Sequence, residues 1–278
     1  MDNYSKELRL KEIISNYDRL AIAYSGGIDS TYLLKISIDV LGIDNVLAVV
    51  VNSELFSDDE FIVAKEIASD LGINCIGVEM QELVEPKIYN NTPEGWYFSK
   101  KLLYKTIRKY SEKHGYNNIV DGMIMDDIED FRPGLLARDE ENISSPLQTA
   151  NLYKEEIRNL AQINNISTWN KEASCSIASR FPYYTKITQE DANKIFLGEK
   201  FLKNLGCKVI RLRIHNNIAR IEVNKNNFNT IMDNNSEIVR YIRSLGFDFV
   251  TMDIEGFRSG RMNELLNKET LSINSREN

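Results

Sequence analysis

Short apolar runs alternate with longer segments of helical periodicity through the first half of the chain. The run Leu20–Tyr24 is apolar throughout and closes on Ser25-Gly26-Gly27, the pattern of a buried parallel strand ending at a turn. From Ser30 the segment STYLLKISIDVLG carries apolar residues at helical spacing and stops at Gly42, a fitting helix end. A strand over Val46–Val51, a helix from about Asp58 to Leu71 and a strand around Cys75 to Val78 repeat the succession. Helices at Tyr97–His114 and Leu152–Ile163 flank a further strand at Asn118–Asp121, and a helix precedes the first strand. Such alternation predicts right-handed crossovers and an α/β fold, a parallel sheet sandwiched by helices. The first domain is expected to span residues 1–180.

Beyond it the order changes. A helix in ITQEDANKIFLGEKFLKNLG is followed by strands in KVIRLRIHN and IARIEVN, a helix through IVRYIRSLG and a last strand FDFVTMDI. This reads as a smaller C-terminal α+β domain, residues 181–278. Its strands alternate apolar and charged positions, so Leu212, Ile214, Ile221 and Val223 are expected to face a core. Arg211, Arg213, Arg220 and Glu222 are expected to face outward, as on a sheet with one open side. The polar tail after Leu266 is expected to fray.

Composition narrows the class. With 278 residues, 42% apolar and 27% charged, and five prolines and fourteen glycines scattered along it, the chain fits a globular protein of two domains rather than a disordered or fibrous one. A charge of −7 argues against broad nucleic-acid binding, though not against a local basic pocket. The charged start lacks the apolar stretch of a secretion signal or membrane span, so a soluble cytoplasmic protein is expected. Cys75, Cys175 and Cys207 are odd in number, far apart and outside any C-x-x-C spacing, so free thiols are expected rather than disulfides or structural zinc.

The strongest chemical signal is Ser25-Gly26-Gly27-Ile28-Asp29-Ser30, set between a strand and a helix. There, backbone N–H groups and the helix dipole converge on an anion. Gly26 and Gly27 let the backbone approach a phosphate, Ser25 and Ser30 add hydroxyls, and Asp29 suits an accompanying magnesium ion. The spacing is neither that of the Walker loop nor that of a dinucleotide fingerprint. SGGIDS resembles the PP-loop of the ATP-pyrophosphatase superfamily. The resemblance implies cleavage of ATP between its α and β phosphates and adenylation of an acceptor, as in GMP and NAD synthetases and tRNA-thiolating enzymes.

The polar segment Trp169–Tyr183 places Cys175 five residues before Arg180. Two readings stand on these residues alone: an inert half-buried cysteine, or a reachable thiol whose nucleophilic thiolate form a guanidinium favours. Cys75, in an apolar strand, and Cys207, at a strand entry, are expected to pack. His114 and His215 are expected to be structural.

The blocks NSELFSDDEF, NNTPEGWYFSKK, DGMIMDDIEDFRPGL, WNKEASCSIASRFPY, RIHNNIARIEV and GFRSGRMNE together resemble the ATP-dependent sacrificial sulfur transferases of the nickel-pincer nucleotide pathway, which leads to the lactate racemase cofactor. The resemblance runs from about Leu20 to Glu264. It implies adenylation of a carboxylate of a pyridinium dicarboxylate mononucleotide, then attack by a cysteine that gives up its sulfur and becomes dehydroalanine. By its place in the block Cys175 corresponds to that donor, and Lys100 is a candidate proton-transfer or charge-stabilising group. Trp96 is expected to stack on the nucleotide, with Gly122, Asp126 and Arg132 also in the nucleotide site. Ser179, Arg180, Arg211 and Arg213 match the pocket for the substrate phosphate, and Glu199 and Glu222, matching nearby acidic positions, join Asp29 as candidate metal ligands.

Each of these has a plainer alternative, a core tryptophan, a solvated lysine, a wet row of arginines or ordinary ion pairs. Some relatives hold an iron-sulfur cluster with cysteines in the GWYFSK block, where Gly95, Trp96 and Ser99 supply none, so ATP and Mg2+ are expected without such a cluster. The family usually has glycine after the FPY motif, whereas this chain has Tyr184. A small-molecule mononucleotide partner and a homohexamer are implied, with no nucleic acid or membrane partner. The competing readings are a PP-loop enzyme thiolating or amidating another acceptor, tRNA or a natural-product carboxylate, and a nucleotide-binding protein without turnover.

Overall fold

Strand β1 (Leu20–Tyr24) is apolar along its whole length because both of its faces are covered. Leu20, Ile22 and Tyr24 join one core cluster while Ala21 joins another, built around Val49, Val78, Tyr104 and Ile107. The computed structural model describes residues 2–73, 75–128, 134–171, 175–258 and 260–265. Arg132 and the tail after Leu266 lie outside the described residues.

In chain order, α1 (Asn3–Ser15) precedes β1, and α2 (Ile28–Leu41), β2 (Val46–Ser53), α3 (Asp58–Asp70) and β3 (Cys75–Met80) follow. Next come α4 (Pro86–Tyr89), α5 (Gly95–Lys113), β4 (Ile119–Val120), α6 (Gly134–Glu140), α7 (Pro146–Thr149) and α8 (Lys154–Ile163). The remainder is α9 (Gln189–Asn204), β5 (Ile210–His215), β6 (Ile218–Val223), α10 (Phe228–Asp233), α11 (Asn235–Ser244) and β7 (Phe249–Met252).

Contacts divide the described residues into two compact units, one of 2–82 with 96–171 and one of 83–95 with 175–265. The first unit holds a four-stranded sheet of order β3-β2-β1-β4, parallel throughout, with α2 and α3 packed on its strands. The α/β layering is therefore as the apolar runs imply.

The second unit carries a three-stranded sheet, β5-β6-β7. An Asn216-Asn217 turn joins β5 to β6, and Asn216 takes the left-handed φ of 54° that such a turn requires. Leu212, Ile214, Ile221 and Val223 are buried, as the alternation implies. The opposite positions are not an open, solvated row. Arg213 is 8% exposed and Glu222 0%, because opposite charges pair there: Arg213 Nε lies 2.7 Å and an Arg220 terminal nitrogen 2.9 Å from Glu222 Oε1. Pairing lets charge go where the polar pattern alone indicates water.

Candidate active site

In the first unit the glycine turn leads directly into α2. Gly27 caps α2 without any side-chain hydrogen bond to the helix end, so the leading N–H groups have no intrahelical acceptor. The hydroxyls of Ser25 and Ser30 lie 3.0 Å apart, Ser30 donates to the Gly27 carbonyl at 3.2 Å, and Ser25 accepts from Gly27 N at 3.3 Å. These bonds close the loop on itself and fix its curvature. Gly26 has φ of +67°, and a Cβ there would sit 2.6 Å from the Ala64 Cβ. A Cβ on Gly122 would sit 2.9 Å from Ser30 N, so a bare backbone flanks the loop on that side too. Gly26→Ala is expected to cost about 1–2 kcal/mol for the left-handed backbone alone, before the Ala64 clash. Thermal melting should fall by several degrees, and ATP affinity should fall with it.

Asp29, in the first turn of α2, pairs with Lys154 Nζ at 2.6 Å. Its second oxygen is buried with no hydrogen-bond partner. Burial pushes the Asp29 carboxyl above its ordinary range, opposed by Lys154 and aided by Asp127. An orphaned carboxylate oxygen beside a second acidic group fits Mg2+, which takes one or two carboxylates together with substrate phosphates. Among the described residues no group of three or more His, Cys, Asp or Glu side chains forms a metal site by itself. Asp126 accepts from Lys154 N at 2.9 Å, so it anchors the lysine that faces Asp29. Lys154 and Asp127 were not among the residues the sequence singled out, since neither stands in a pattern distinct from ordinary surface charge.

Helix α5 presents Trp96 in its first turn, half-buried, and Lys100 one turn later. Lys100 Nζ lies 5.5 Å from the centre of the Tyr104 ring, and Tyr104 donates to Asp121 at 2.6 Å. Ser99 and Ser53 both donate to Glu82, which is fully buried. Burial raises the Glu82 carboxyl pKa, with Ser53, Ser99 and Lys100 pulling the other way. The positive charge of Lys100 thus acts on this carboxyl.

In the second unit Cys175 is exposed, whereas Cys75 is partly buried and Cys207 is buried. Burial pushes the Cys75 thiol up to about 11. An Arg211 terminal nitrogen lies 3.5 Å from the Cys175 Sγ, and against the effect of burial Glu199 and Cys175 raise the pKa of the nearby Arg180 guanidinium. Arg180 is only 4% exposed, held by a two-point fork in which Nε and a terminal nitrogen reach Glu199 at 2.9 and 3.2 Å. Its other terminal nitrogen donates to Ser179 Oγ at 2.7 Å. Glu199 also accepts from Leu212 N at 2.9 Å, and Arg213 donates to the Ser179 carbonyl at 2.5 Å.

Ser179, Arg180, Arg211 and Arg213 are therefore gathered with Cys175, but their duties differ. Arg180 and Arg213 are struts paired to Glu199 and Glu222, while no carboxylate among the described residues forms an ion pair with Arg211. Both oxygens of Glu199 and one oxygen of Glu222 meet arginines, so a metal ion held there would share these carboxylates with cations. The other Glu222 oxygen is buried and has no hydrogen-bond partner. His114 Nδ1 donates locally to the Tyr110 carbonyl, 2.7 Å away. Burial, reinforced by Arg220 and Arg213, lowers the His215 pKa.

A parallel α/β sheet whose first strand ends in this glycine turn defines the PP-loop class of ATP-using proteins. In agreement, the NAD synthase family profile matches residues 6–122. A pyridinium-3,5-bisthiocarboxylic acid mononucleotide synthase of Lactiplantibacillus plantarum is 44% identical over 268 residues, covering 96% of this chain and 97% of the relative. Uncharacterized proteins of Synechocystis sp. and Methanocaldococcus jannaschii are 35% and 34% identical, over 95% and 90% of this chain and 99% and 94% of their own lengths. The chain belongs to the family of the pyridinium-3,5-bisthiocarboxylic acid mononucleotide synthase, an enzyme family built on the ATP-using PP-loop fold. No helix among the described residues is long and apolar enough to cross a membrane.

Proposed function

We propose that this protein uses ATP to activate a carboxylate of pyridinium-3,5-biscarboxylic acid mononucleotide and replaces one of its oxygens with sulfur from Cys175. The carboxylate oxygen attacks the α-phosphorus and pyrophosphate leaves. The Cys175 thiolate then attacks the acyl carbon, expelling AMP and forming a thioester. Removal of the Cys175 α-proton and cleavage of its Cβ–S bond release the thiocarboxylate and leave dehydroalanine.

The observation that carries this reading is an exposed cysteine with an Arg211 nitrogen 3.5 Å from its sulfur, in the block that resembles the sacrificial sulfur transferases. In the first unit the Gly27-capped helix end would receive the triphosphate. Asp29, with Asp127 near, would hold Mg2+, whose charge eases attack at the α-phosphorus. Trp96 would stack on the nucleotide and Lys100 would steady charge or move a proton. Arg211 would take the substrate phosphate, with Ser179 beside it and Arg180 and Arg213 holding the surroundings rigid. A cytoplasmic homohexamer that takes no nucleic-acid partner belongs to the same proposal.

Pyrophosphate release tests the adenylation. With ATP and Mg2+, release should depend on the dicarboxylate mononucleotide and remain at background with tRNA or simple carboxylic acids. Release driven equally by those other acceptors would transfer the function to a different adenylating chemistry.

A further inference from the structure

The segment after β7 takes no part in the reaction as proposed, yet it runs back to the cysteine-bearing pocket of its own unit. Asp253 N donates to the Ile221 carbonyl at 2.9 Å and Phe257 N donates to the Val223 carbonyl at 2.9 Å, extending the edge of β6 beyond the last residue of β7. Gly256 has φ of +78°, and a Cβ there would lie 3.0 Å from the Val223 carbonyl oxygen. Only a glycine lets the chain bend this closely past the strand. At the other end of the segment Arg261 locks onto Asp253 at 2.8 Å and Glu255 at 2.5 Å.

The bend sets the Phe257 ring 5.0 Å from the Arg211 guanidinium carbon. That guanidinium also donates to the Ile210 carbonyl at 2.7 Å and reaches Cys175 Sγ at 3.5 Å. An arginine with no carboxylate ion-pair partner among the described residues needs some other restraint to keep a long side chain in one rotamer. The face of an aromatic ring supplies one without neutralising the charge, as a carboxylate would. Burial and the neighbouring Arg180 both lower the Arg211 pKa, opposed by Cys175 and Glu199, so this cation sits where its position matters.

We infer that Phe257 is a positioning residue for the sulfur donor: its ring holds the Arg211 guanidinium against Cys175. The inference rests on the proposed role of Cys175 as nucleophile, and it acts through Arg211 rather than on substrate. Glutamate in place of Phe257 would hold Arg211 equally well but would cancel the charge that the thiol faces.

Alkylation of Cys175 by iodoacetamide, a neutral reagent, tests it in the full chain without substrate, with the modified residue identified by peptide mass. At pH 7, Phe257→Leu should slow Cys175 alkylation roughly threefold, in line with a cation–π contact of modest strength. Phe257→Tyr, which keeps the ring, should restore the wild-type profile. Gly256→Ala, which moves an unaltered ring, should behave like Phe257→Leu, and adding Phe257→Leu to Arg211→Gln should slow alkylation no further. A wild-type profile for a folded Phe257→Leu protein, equal slowing by Leu and Tyr, or full additivity with Arg211→Gln would overturn the inference. If Phe257→Leu does not fold, the Tyr and Gly256→Ala profiles decide the matter alone. The protein's own mass after turnover is read separately, so a failure of sulfur donation and a failure of Phe257 to position Arg211 give different results.

Discussion

A Cys175→Ala protein is expected to release pyrophosphate in an initial burst, with AMP retained in the acyl adenylate, and to make no thiocarboxylate. In the proposed reaction adenylation calls on the glycine turn and Asp29, which is paired with Lys154, and the thiol has no part in that step. The sulfur enters only when the acyl phosphate is already formed, so its removal should cut product formation by on the order of 10^4-fold or more while sparing the burst, as losing a nucleophile does elsewhere. Cys75→Ala and Cys207→Ala should leave thiocarboxylate formation near the wild-type level, because those thiols are packed rather than presented. Separate quantification of pyrophosphate and thiocarboxylate in single-turnover mixtures checks both statements. Joint loss of the two products would place Cys175 in adenylation instead.

The largest effect on stability should come from Glu199→Ala. That substitution strips Arg180, 4% exposed, of both fork bonds and leaves the Leu212 N–H without its acceptor. Breaking one side of a buried ion pair costs about 3–5 kcal/mol, since the remaining charge stays out of water. Melting should fall by on the order of 10 °C. Glu199→Gln keeps one acceptor oxygen and should fall less. Chemical or thermal denaturation of the three proteins measures the order, and a Glu199→Ala protein as stable as wild type would show that water reaches Arg180 freely.

Much of the first unit is legible because its constraints act on short stretches. Strands covered on both faces must be apolar at every position, and Leu20–Tyr24 and Val46–Ser53 are nearly so. A loop pressed against Ala64 must have glycine at 26, and the SGGIDS pattern announces it. The second unit is harder to read. Alternation around Arg213 and Glu222 gives the two faces of the sheet correctly, but not that charge on the polar face is buried, because pairing depends on the cross-strand register and on residues such as Arg261 that no local period brings in.

Tyr184 is instructive in another way. The position where the resembling family usually has glycine takes φ of 63° here, with Tyr184 N donating to the Asn91 carbonyl at 3.0 Å. That left-handed backbone suits glycine better than a tyrosine. Lys154 and Asp127 escaped notice for the opposite reason: a lysine opening a helix and an aspartate in an acidic run carry no sign of the partner that the fold brings to them.

The most direct measurement is the intact mass of the full chain after incubation with ATP, Mg2+ and pyridinium-3,5-biscarboxylic acid mononucleotide. The protein should become lighter by the mass of one hydrogen sulfide molecule, with the change localised to Cys175 and matched by thiocarboxylate formed. Thiocarboxylate accumulating while every chain keeps its original mass would contradict the account.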